Sequence, residues 1–239
     1  MQLVANNISK KYKNKLIVET SLTINAGEIV GLLGPNGAGK TTCFYMLLGL
    51  IPVDSGKIFL GTNDITKLPV HKRAKLGISY LPQEASIFRG LNVRDNILSI
   101  LELQQDLTTT QRLERLEELL VEFNLQQISK TIGISLSGGE RRRVEIARAL
   151  AVNPRFILLD EPFAGVDPKS IIDIKNLIKH LASRQIGILI TDHNVRDTLD
   201  ICQKAYILSN GQVICSGSPQ HITLDQQVRE VYLGSDFKI

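Results

Sequence analysis

The chain has 239 residues, of which 43% are hydrophobic and 22% charged, and its formal net charge is +4. This length is enough for one sizeable domain with a buried core, and the composition is that of an ordinary globular protein. The basic residues are scattered except at Arg141–Arg143, so no electrostatic footprint for nucleic acid stands out. We therefore expect no nucleic-acid partner.

Three features of the sequence bear on its location. Cys43, Cys202 and Cys215 lie far apart and cannot all be paired within the chain, which indicates reduced thiols in a cytoplasmic protein. The first residues lack the basic and apolar regions of a secretory signal. The longest uncharged stretch, Thr41 to Val53, is shorter than the ~20 residues that a transmembrane helix requires. We expect a cytoplasmic chain that contacts a membrane only through a partner.

Short apolar segments alternate with amphipathic ones along the chain, which is typical of an α/β fold. Up to about Asn25 the segments are strand-like without helices, and they predict a small antiparallel layer. Five runs then predict the strands of a largely parallel core sheet: Val30 to Gly34, Lys57 to Leu60, Ile78 to Leu81, Phe156 to Leu159 and Ile186 to Ile190. Near the end, Asn210-Gly211 predicts a hairpin between strands at 205–208 and 212–215.

A helical segment interrupts this pattern in the middle of the chain. Between about Val93 and Ala151 strand signals vanish. Apolar residues there recur on one helix face, at Leu113, Leu116, Leu119, Leu120 and Phe123. We therefore predict a single domain over residues 1–239, in which about 1–92 and 152–239 form the core and its antiparallel layer, and about 93–151 form an inserted helical subdomain.

A glycine-rich motif follows the first predicted core strand. The residues Gly34, Pro35, Asn36, Gly37, Ala38, Gly39, Lys40 and Thr41 fit the pattern G-x-x-x-x-G-K-[S/T] between a strand and a helix. Such glycines let backbone N–H groups surround phosphate oxygens at a helix N-terminus. We expect this segment and Thr42 to bind ATP, with Lys40 at the β- and γ-phosphates and the Thr41 hydroxyl on Mg²⁺. A chance match has a probability of about 1% at average residue usage.

Two adjacent carboxylates end a later apolar strand. Phe156 to Leu159 deliver Asp160 and Glu161 to the edge of the sheet. Asp160 is expected to hold Mg²⁺ and its hydration shell, and Glu161 to accept a proton from the attacking water or to orient it. The alternative is a pair of surface acids that cap the strand. Their position downstream of a phosphate-binding loop favours hydrolysis.

Between these two motifs, Leu136 is followed by Ser137, Gly138, Gly139 and Glu140 at the start of a helix. Ser137 and Glu140 have the spacing of a capping box, which is a purely structural interpretation. Two glycines in the first turn lower helix stability, however, so we interpret them as exposing N–H groups for close approach, with a second phosphate contact as the candidate.

In this order, the three elements strongly resemble the ABC ATPase family, and the resemblance spans essentially the whole chain. It implies a P-loop NTPase (RecA-like) core with an N-terminal antiparallel β layer and an inserted α-helical subdomain that carries the signature. It also implies a homodimer, in which the signature residues 137–140 of one subunit close on the ATP held by the other subunit.

The same resemblance assigns roles to four further residues. Tyr12 looks like the aromatic residue that stacks on adenine, and Gln83 like the loop glutamine that links Mg²⁺ and the attacking water to the helical subdomain. His193 resembles the switch histidine that senses the γ-phosphate, and Asp167 the aspartate that crosses the dimer. Each alone has a structural alternative, because a tyrosine in an early strand usually packs and a lone histidine after a strand is usually a surface group.

Longer segments are similar to the lipopolysaccharide-export branch of this family, namely residues 80–89, 136–150, 160–168 and 231–239. This similarity implies a homodimer on the cytoplasmic face of the inner membrane, beneath two different permease subunits like the LptF and LptG pair. ATPases of branched-chain amino-acid importers share much of the catalytic part and are the alternative. Non-transport ABC ATPases usually carry two cassettes or long insertions, neither of which is present here. GTPases and metabolite kinases do not need the Ser-Gly-Gly helix start.

A short segment after Gln83 is the expected contact with the permease. Ile87, Phe88 and Arg89 lie where members of the family receive a coupling helix, and we expect them to line its groove. The alternative is that Ile87 and Phe88 are core residues.

Overall fold

The computed structural model describes residues 1–13, 15–234 and 237. The strands in this part of the chain are β1 (Gln2–Tyr12), β2 (Lys15–Asn25), β3 (Ile29–Leu33), β4 (Ser55–Leu60), β5 (Asn63–Asp64), β6 (Ile78–Leu81), β7 (Phe156–Asp160), β8 (Gly187–Thr191), β9 (Lys204–Ser209) and β10 (Gln212–Gly217). The α-helices are α1 (Lys40–Leu48), α2 (Val70–Lys75), α3 (Val93–Leu101), α4 (Thr109–Glu122), α5 (Gly138–Leu150), α6 (Pro168–Ser183), α7 (Val195–Ile201), α8 (Pro219–Leu224) and α9 (Gln226–Val228). Short 3₁₀ segments cover Gln126–Ile128 and Gly133–Ser135, and a π-helical turn covers Arg229–Leu233.

The strands form two sheets. The larger sheet has the order β10-β9-β3-β8-β7-β6, and its neighbours are parallel except for the antiparallel pair β9 and β10. The smaller sheet has the order β2-β1-β4-β5 and is antiparallel. These sheets confirm the α/β class, the N-terminal antiparallel layer and the hairpin at Asn210-Gly211.

One predicted strand belongs to a different sheet. Lys57 to Leu60 lie in β4, which pairs with β1 in the antiparallel layer, so their assignment to the core sheet was wrong. The physical reason is that strands of the parallel core sheet are buried on both faces, whereas β4 is not. Residues Ser55 to Lys57 are exposed, whereas all five residues of β3 in the parallel sheet are buried.

Successive residues of the parallel strands face opposite sides of the large sheet. In β7, Ile157 and Leu159 pack into a core with helices α3 to α6, while Leu158 packs into a second core with α1 and the antiparallel layer. Helices on one face and a second layer on the other therefore explain why these strands are apolar throughout.

The helices between residues 93 and 151 are α3, α4 and α5. Helix α4 begins at a capping box formed by Thr108 and Gln111, and it buries the predicted face at Leu116, Leu119 and Leu120. Leu113 is 40% exposed at the edge of this face. No helix in the described ranges combines the length and apolar character needed to cross a membrane.

Candidate functional site

The residues of the glycine loop and the two adjacent carboxylates meet at the carboxyl ends of three strands of the large sheet. β3 leads into the glycine loop, and Asp160 at the end of β7 pairs in register with Thr191 at the end of β8. This edge is where open α/β sheets bind their ligands. A cavity of about 380 Å³ lies here, lined by Ile17, Asn36, Gly37, Ala38, Gly39, Lys40, Thr41, Thr42, Glu161 and His193.

The glycine loop approaches its neighbours closely at its first glycine. Gly34 has a φ of 144°, and a Cβ there would lie 2.0 Å from the carbonyl oxygen of Leu208 in β9. Helix α1 begins after Gly39, and none of the described side chains caps it. Its first N–H groups are therefore available to an anion.

Lys40 extends back over this loop. Its Nζ donates hydrogen bonds to the carbonyl oxygens of Gly34 at 2.7 Å and Pro35 at 2.9 Å. Burial lowers the pKa of Lys40, while the nearby carboxylates of Glu161 and Asp160 oppose this shift. A half-buried ammonium held by neutral carbonyl groups is a strong partner for an anionic ligand.

The Glu161 carboxylate lies between two other predicted residues. Gln83 Nε2 donates to Glu161 Oε2 at 2.7 Å, and His193 Nε2 lies 2.7 Å from Glu161 Oε1. The loops after β6, β7 and β8 thus bring three residues together that are distant in sequence. This arrangement aims a carboxylate, an amide and an imidazole at one position beside the glycine loop.

The backbone at Glu161 is strained, with a φ of 48° in the left-handed region. For a residue with a side chain this conformation costs roughly 1–2 kcal/mol. The Glu161 N–H donates to the carbonyl oxygen of Thr191 at 2.7 Å, and its carbonyl accepts from Arg142 at 2.8 Å. These hydrogen bonds hold a conformation that presents the carboxylate to the cavity, as is common where strain serves a site.

Oxygen ligands suited to Mg²⁺ lie at the same edge. Asp160 is only 7% exposed, and its Oδ1 accepts a short hydrogen bond from the Thr191 hydroxyl. Thr41 lies in the first turn of α1, and both Thr41 and Glu161 line the cavity. Carboxylate, hydroxyl and amide oxygens, together with phosphate and water, are the ligands that Mg²⁺ prefers, so these residues fit the ion.

Two buried charged residues, for which the sequence predicted no role in the site, connect the loops around the cavity. One is Asp192, which is 3% exposed; it accepts hydrogen bonds from the N–H groups of Phe163 at 2.9 Å and Asn194 at 2.8 Å. Burial raises the pKa of Asp192, with the Glu161 charge acting in the same direction. Asp192 thereby joins the loop after Glu161 to the loop that carries His193.

The other is Arg142, within the basic run Arg141–Arg143. Arg142 is 5% exposed, and its guanidinium donates to the carbonyl oxygens of Pro82, Asp160, Glu161 and Pro162. It also pairs with Glu145 at 3.2 Å, and Glu145 accepts from the Ser86 N–H at 2.7 Å. Burial lowers the pKa of Arg142. The available sequence signal was the three-residue spacing of Arg142 and Glu145 on one face of α5.

The signature segment begins α5 through the capping box. Ser137 Oγ accepts from the Glu140 N–H at 3.3 Å, and Glu140 Oε2 accepts from the Ser137 N–H at 2.9 Å. These groups lower the pKa of Glu140, with the Ser137 hydroxyl as the largest cause. A Cβ at Gly139 would lie 2.3 Å from Ser170 Oγ in α6, so packing within the chain already requires this glycine. The second phosphate contact stays a prediction.

Asp167 and Tyr12 lie apart from the cavity. Asp167 caps α6 by accepting from the Ser170 N–H at 3.0 Å, and this hydrogen bonding lowers its pKa. Tyr12 is 50% exposed at the end of β1, with Lys10 Nζ 5.7 Å from its ring centre. Among the described residues that line the cavity, the antiparallel layer contributes Ile17 and not Tyr12. The adenine contact of Tyr12 stays a prediction.

The three predicted groove residues have different environments. Ile87 is 7% exposed and packs in the core with neighbours in the helical region, which agrees with the core alternative; its role in the groove stays a prediction. Phe88 is 46% exposed, and Arg148 Cζ lies 4.4 Å from its ring centre. Arg89 is exposed. Arg148 also lines a cavity of about 290 Å³ with residues of α2, β6 and α3, including Val70, Ile78 and Ile100.

Comparison with known proteins identifies the family. A family model described as ABC transporter matches residues 17–164, which contain the glycine loop, the signature and Asp160-Glu161. The chain belongs to the ABC transporter family. As an ATPase of this family it hydrolyses ATP, and the family generally uses ATP with Mg²⁺. A second model, described as branched-chain amino acid ATP-binding cassette transporter, matches residues 212–238.

Curated relatives match along the whole chain. The ABC ATPase is 58% identical over 238 residues to the lipopolysaccharide export system ATP-binding protein LptB of Escherichia coli strain K12, covering 99% of both chains. It is 57% identical to the protein of the same name from Acidithiobacillus ferridurans, covering 99% of this chain and 98% of that one. The predicted similarity to this branch of the family is confirmed. Within the predicted similar tail, 231–239, residues 235, 236, 238 and 239 lie outside the described residues.

Solved structures share the fold. The ADP conformation of an ATP-binding cassette of an ABC transporter superposes with a TM-score of 0.85 at 29% identity, covering 98% of this chain and all of that one. A dimeric bacterial ABC transporter cassette superposes with a TM-score of 0.80 at 25% identity, covering 91% of this chain and 98% of that one. The predicted ABC ATPase fold is therefore confirmed.

Proposed function

We propose that this ABC ATPase drives lipopolysaccharide export, extracting lipopolysaccharide from the inner membrane and pushing it toward the outer membrane. The observation that carries the proposal is the 58% identity to the lipopolysaccharide export ATPase of Escherichia coli across 99% of both chains. The match includes the segments outside the shared catalytic motifs.

The glycine loop and Lys40 bind the phosphates of ATP in this proposal. Residues 36–42 supply backbone N–H groups and the start of α1, and Lys40 exchanges its two carbonyl partners for phosphate oxygens. Thr41, Asp160 and Gln83 would hold Mg²⁺. When bound, Mg²⁺ neutralises charge on the phosphate groups.

Glu161 is the proposed general base. Its carboxylate takes a proton from the attacking water, while the Gln83 and His193 contacts at 2.7 Å fix its orientation. His193 then interacts with the γ-phosphate, which couples the loop after β8 to the presence of nucleotide. The buried Asp192 and Arg142 hold the loops in place through hydrogen bonds to backbone groups.

The active form is proposed to be a homodimer. Of the described residues that line the cavity, none belongs to the signature 137–140, and the chain carries one copy of each motif. A second subunit supplies its signature to each site, with Asp167 crossing the interface and Tyr12 stacking on adenine. The dimeric form of a related cassette supports this arrangement.

The partners are proposed to be two inner-membrane permease subunits of the LptF and LptG type, which would hold the ATPase on the cytoplasmic face. The exposed Phe88, its contact Arg148 and the cavity between α2, α3 and α5 offer an apolar surface with a basic rim. An amphipathic permease helix would bind such a surface by its apolar face. Arg89 lies exposed beside Phe88 and fits the rim.

Branched-chain amino-acid import is the second candidate, because the family model for such transporters matches residues 212–238. That match covers only the end of the chain, whereas the export relatives match throughout. The permease that binds the ATPase distinguishes the two functions.

The test is co-purification and reconstitution. The tagged ATPase, co-expressed with the LptF- and LptG-type subunits, should co-purify with both in detergent, and proteoliposomes of the complex should release lipopolysaccharide when ATP is added. Lys40→Ala is the negative control, since it should assemble without transport. Phe88→Ala should weaken the complex, with Val121→Ala, at an exposed apolar residue of α4, as the matched control. If the wild type binds only permeases of amino-acid importers, the export proposal is wrong.

A further inference from the structure

Three potential metal ligands lie together at the end of the chain, away from the ATP cavity. Cys215 is in β10, His221 is in α8, and Asp225 follows α8 directly. The Cys215 Sγ, a His221 ring nitrogen and an Asp225 carboxylate oxygen all lie within 4.8 Å of one another. None of the three takes part in the proposed ATPase chemistry.

The burial of the three groups is graded from core to solvent. Cys215 is 8% exposed and packs with Ile222 and Val228, Asp225 is half-buried, and His221 is exposed. The Cys215 thiol therefore lies on the core side of the cluster, and the His221 imidazole lies on the solvent side. A metal ion can enter from the solvent side without opening the core.

The backbone around the cluster holds the ligands in place. His221 and Asp225 are four residues apart, so they lie on one face of the α8 turn. Asp225 also accepts from the Val228 N–H at 2.8 Å, which fixes its carboxylate at the start of α9. A Cβ at Gly217 would lie 2.8 Å from His221 Cδ2, so the glycine leaves the space that the imidazole occupies.

We propose that Cys215, His221 and Asp225 form a zinc-binding site with three protein ligands and one position open to water. Zn²⁺ binds thiolate, imidazole and carboxylate at tetrahedral positions, and the thiolate disfavours Mg²⁺ and Ca²⁺. The thiolate and carboxylate together neutralise the divalent cation, so the half-buried site carries no net charge. On binding, the thiol proton leaves to solvent and sulfur bonds to the metal.

Metal binding would join β10 to α8 and α9. Residues of these three elements share a hydrophobic core with Leu33, which ends β3 one residue before the glycine loop. The site is independent of the transported substrate. A bound metal ion would hold β10, α8 and α9 together near the C-terminal end of the ATPase.

The experiment uses the full-length ATPase in metal-free reducing buffer. Isothermal titration with ZnCl₂ should show one Zn²⁺ per chain. Cys215→Ala, His221→Gln and Asp225→Asn should each weaken binding at least about tenfold, since even outer-shell partners of a metal have effects of that size. Titration with Co²⁺ should give the visible bands of a tetrahedral site with a sulfur charge-transfer band, and Cys215→Ala should remove that band.

Two matched variants serve as controls. Cys202→Ala removes a buried thiol elsewhere, and His180→Gln removes another exposed imidazole; both should bind Zn²⁺ as the wild type does. Thermal melting without metal establishes which variants are folded, and the exposed His221→Gln keeps the test valid if Cys215→Ala unfolds. The proposal is wrong if the wild type does not bind Zn²⁺, or if His221→Gln binds it as tightly as the wild type does.

Discussion

Replacing Glu161 with glutamine separates ATP hydrolysis from ATP binding. Glutamine has the same shape, and its oxygen can still accept from Gln83 while its NH₂ group donates to the His193 ring, so the contacts at 2.7 Å survive. The amide cannot take a proton from water. General-base catalysis contributes about 10²- to 10⁴-fold, which corresponds to roughly 2.7–5.4 kcal/mol of activation free energy.

The assay compares single-turnover ATP hydrolysis with equilibrium ATP binding for Glu161→Gln and wild type. Hydrolysis should fall by about 10²- to 10⁴-fold. The nucleotide dissociation constant should stay within a few-fold, because Lys40 and the glycine loop are untouched. The variant should also accumulate as an ATP-bound dimer in size-exclusion chromatography. Glu84→Gln, an exposed neighbour of Gln83 outside the cavity lining among the described residues, is the matched control.

Two results would refute this reasoning. Turnover of Glu161→Gln within a few-fold of wild type would remove Glu161 as the base. A loss of ATP binding in step with hydrolysis would mean that Glu161 holds the glycine loop in shape.

Three further predictions concern the dimer, the core and the signature helix. A Lys40→Ala chain mixed with a Ser137→Arg chain should regain ATPase activity that neither homodimer has, because one composite site stays intact; inactive heterodimers of defined composition would contradict a trans site that acts alone. Ile87→Ala should lower the free energy of unfolding by about 2–5 kcal/mol in urea titrations, as for a buried Ile, while Phe88→Ala changes it far less; equal effects would contradict the assignments. The pKa of Glu140 in the folded chain is lowered from its ordinary value of 4.5. The ionised Glu140 side chain therefore contributes fully to stability above pH 4.5, and this contribution is lost as the pH falls through the lowered pKa. Glu140→Gln should flatten this part of the acid dependence of unfolding, and an unchanged profile would rule the contribution out.

Much of the fold was predictable because its signals are local. Strands buried on both faces appear in the sequence as apolar runs. The capping box at Ser137 and the Asn210-Gly211 turn each depend on residues only a few positions apart. β4 was misassigned because its apolar residues, Ile58 and Leu60, do not indicate which sheet they join. That choice is made by β1, which lies far away in sequence.

The sequence by itself determined the chemical groups of the ATPase site. Glycines, Lys40 and adjacent carboxylates at fixed spacing indicate phosphate binding and hydrolysis when the glycine loop follows a strand. Tertiary structure decided which groups touch. Gln83 and His193 meet at Glu161 because β6, β7 and β8 are neighbours in the sheet, and Arg142 becomes a buried link because α5 packs against the ends of those strands. Likewise Ile87 and Phe88, adjacent and both apolar, separate into core and surface only when the chain packs, because burial depends on neighbours that are distant in sequence.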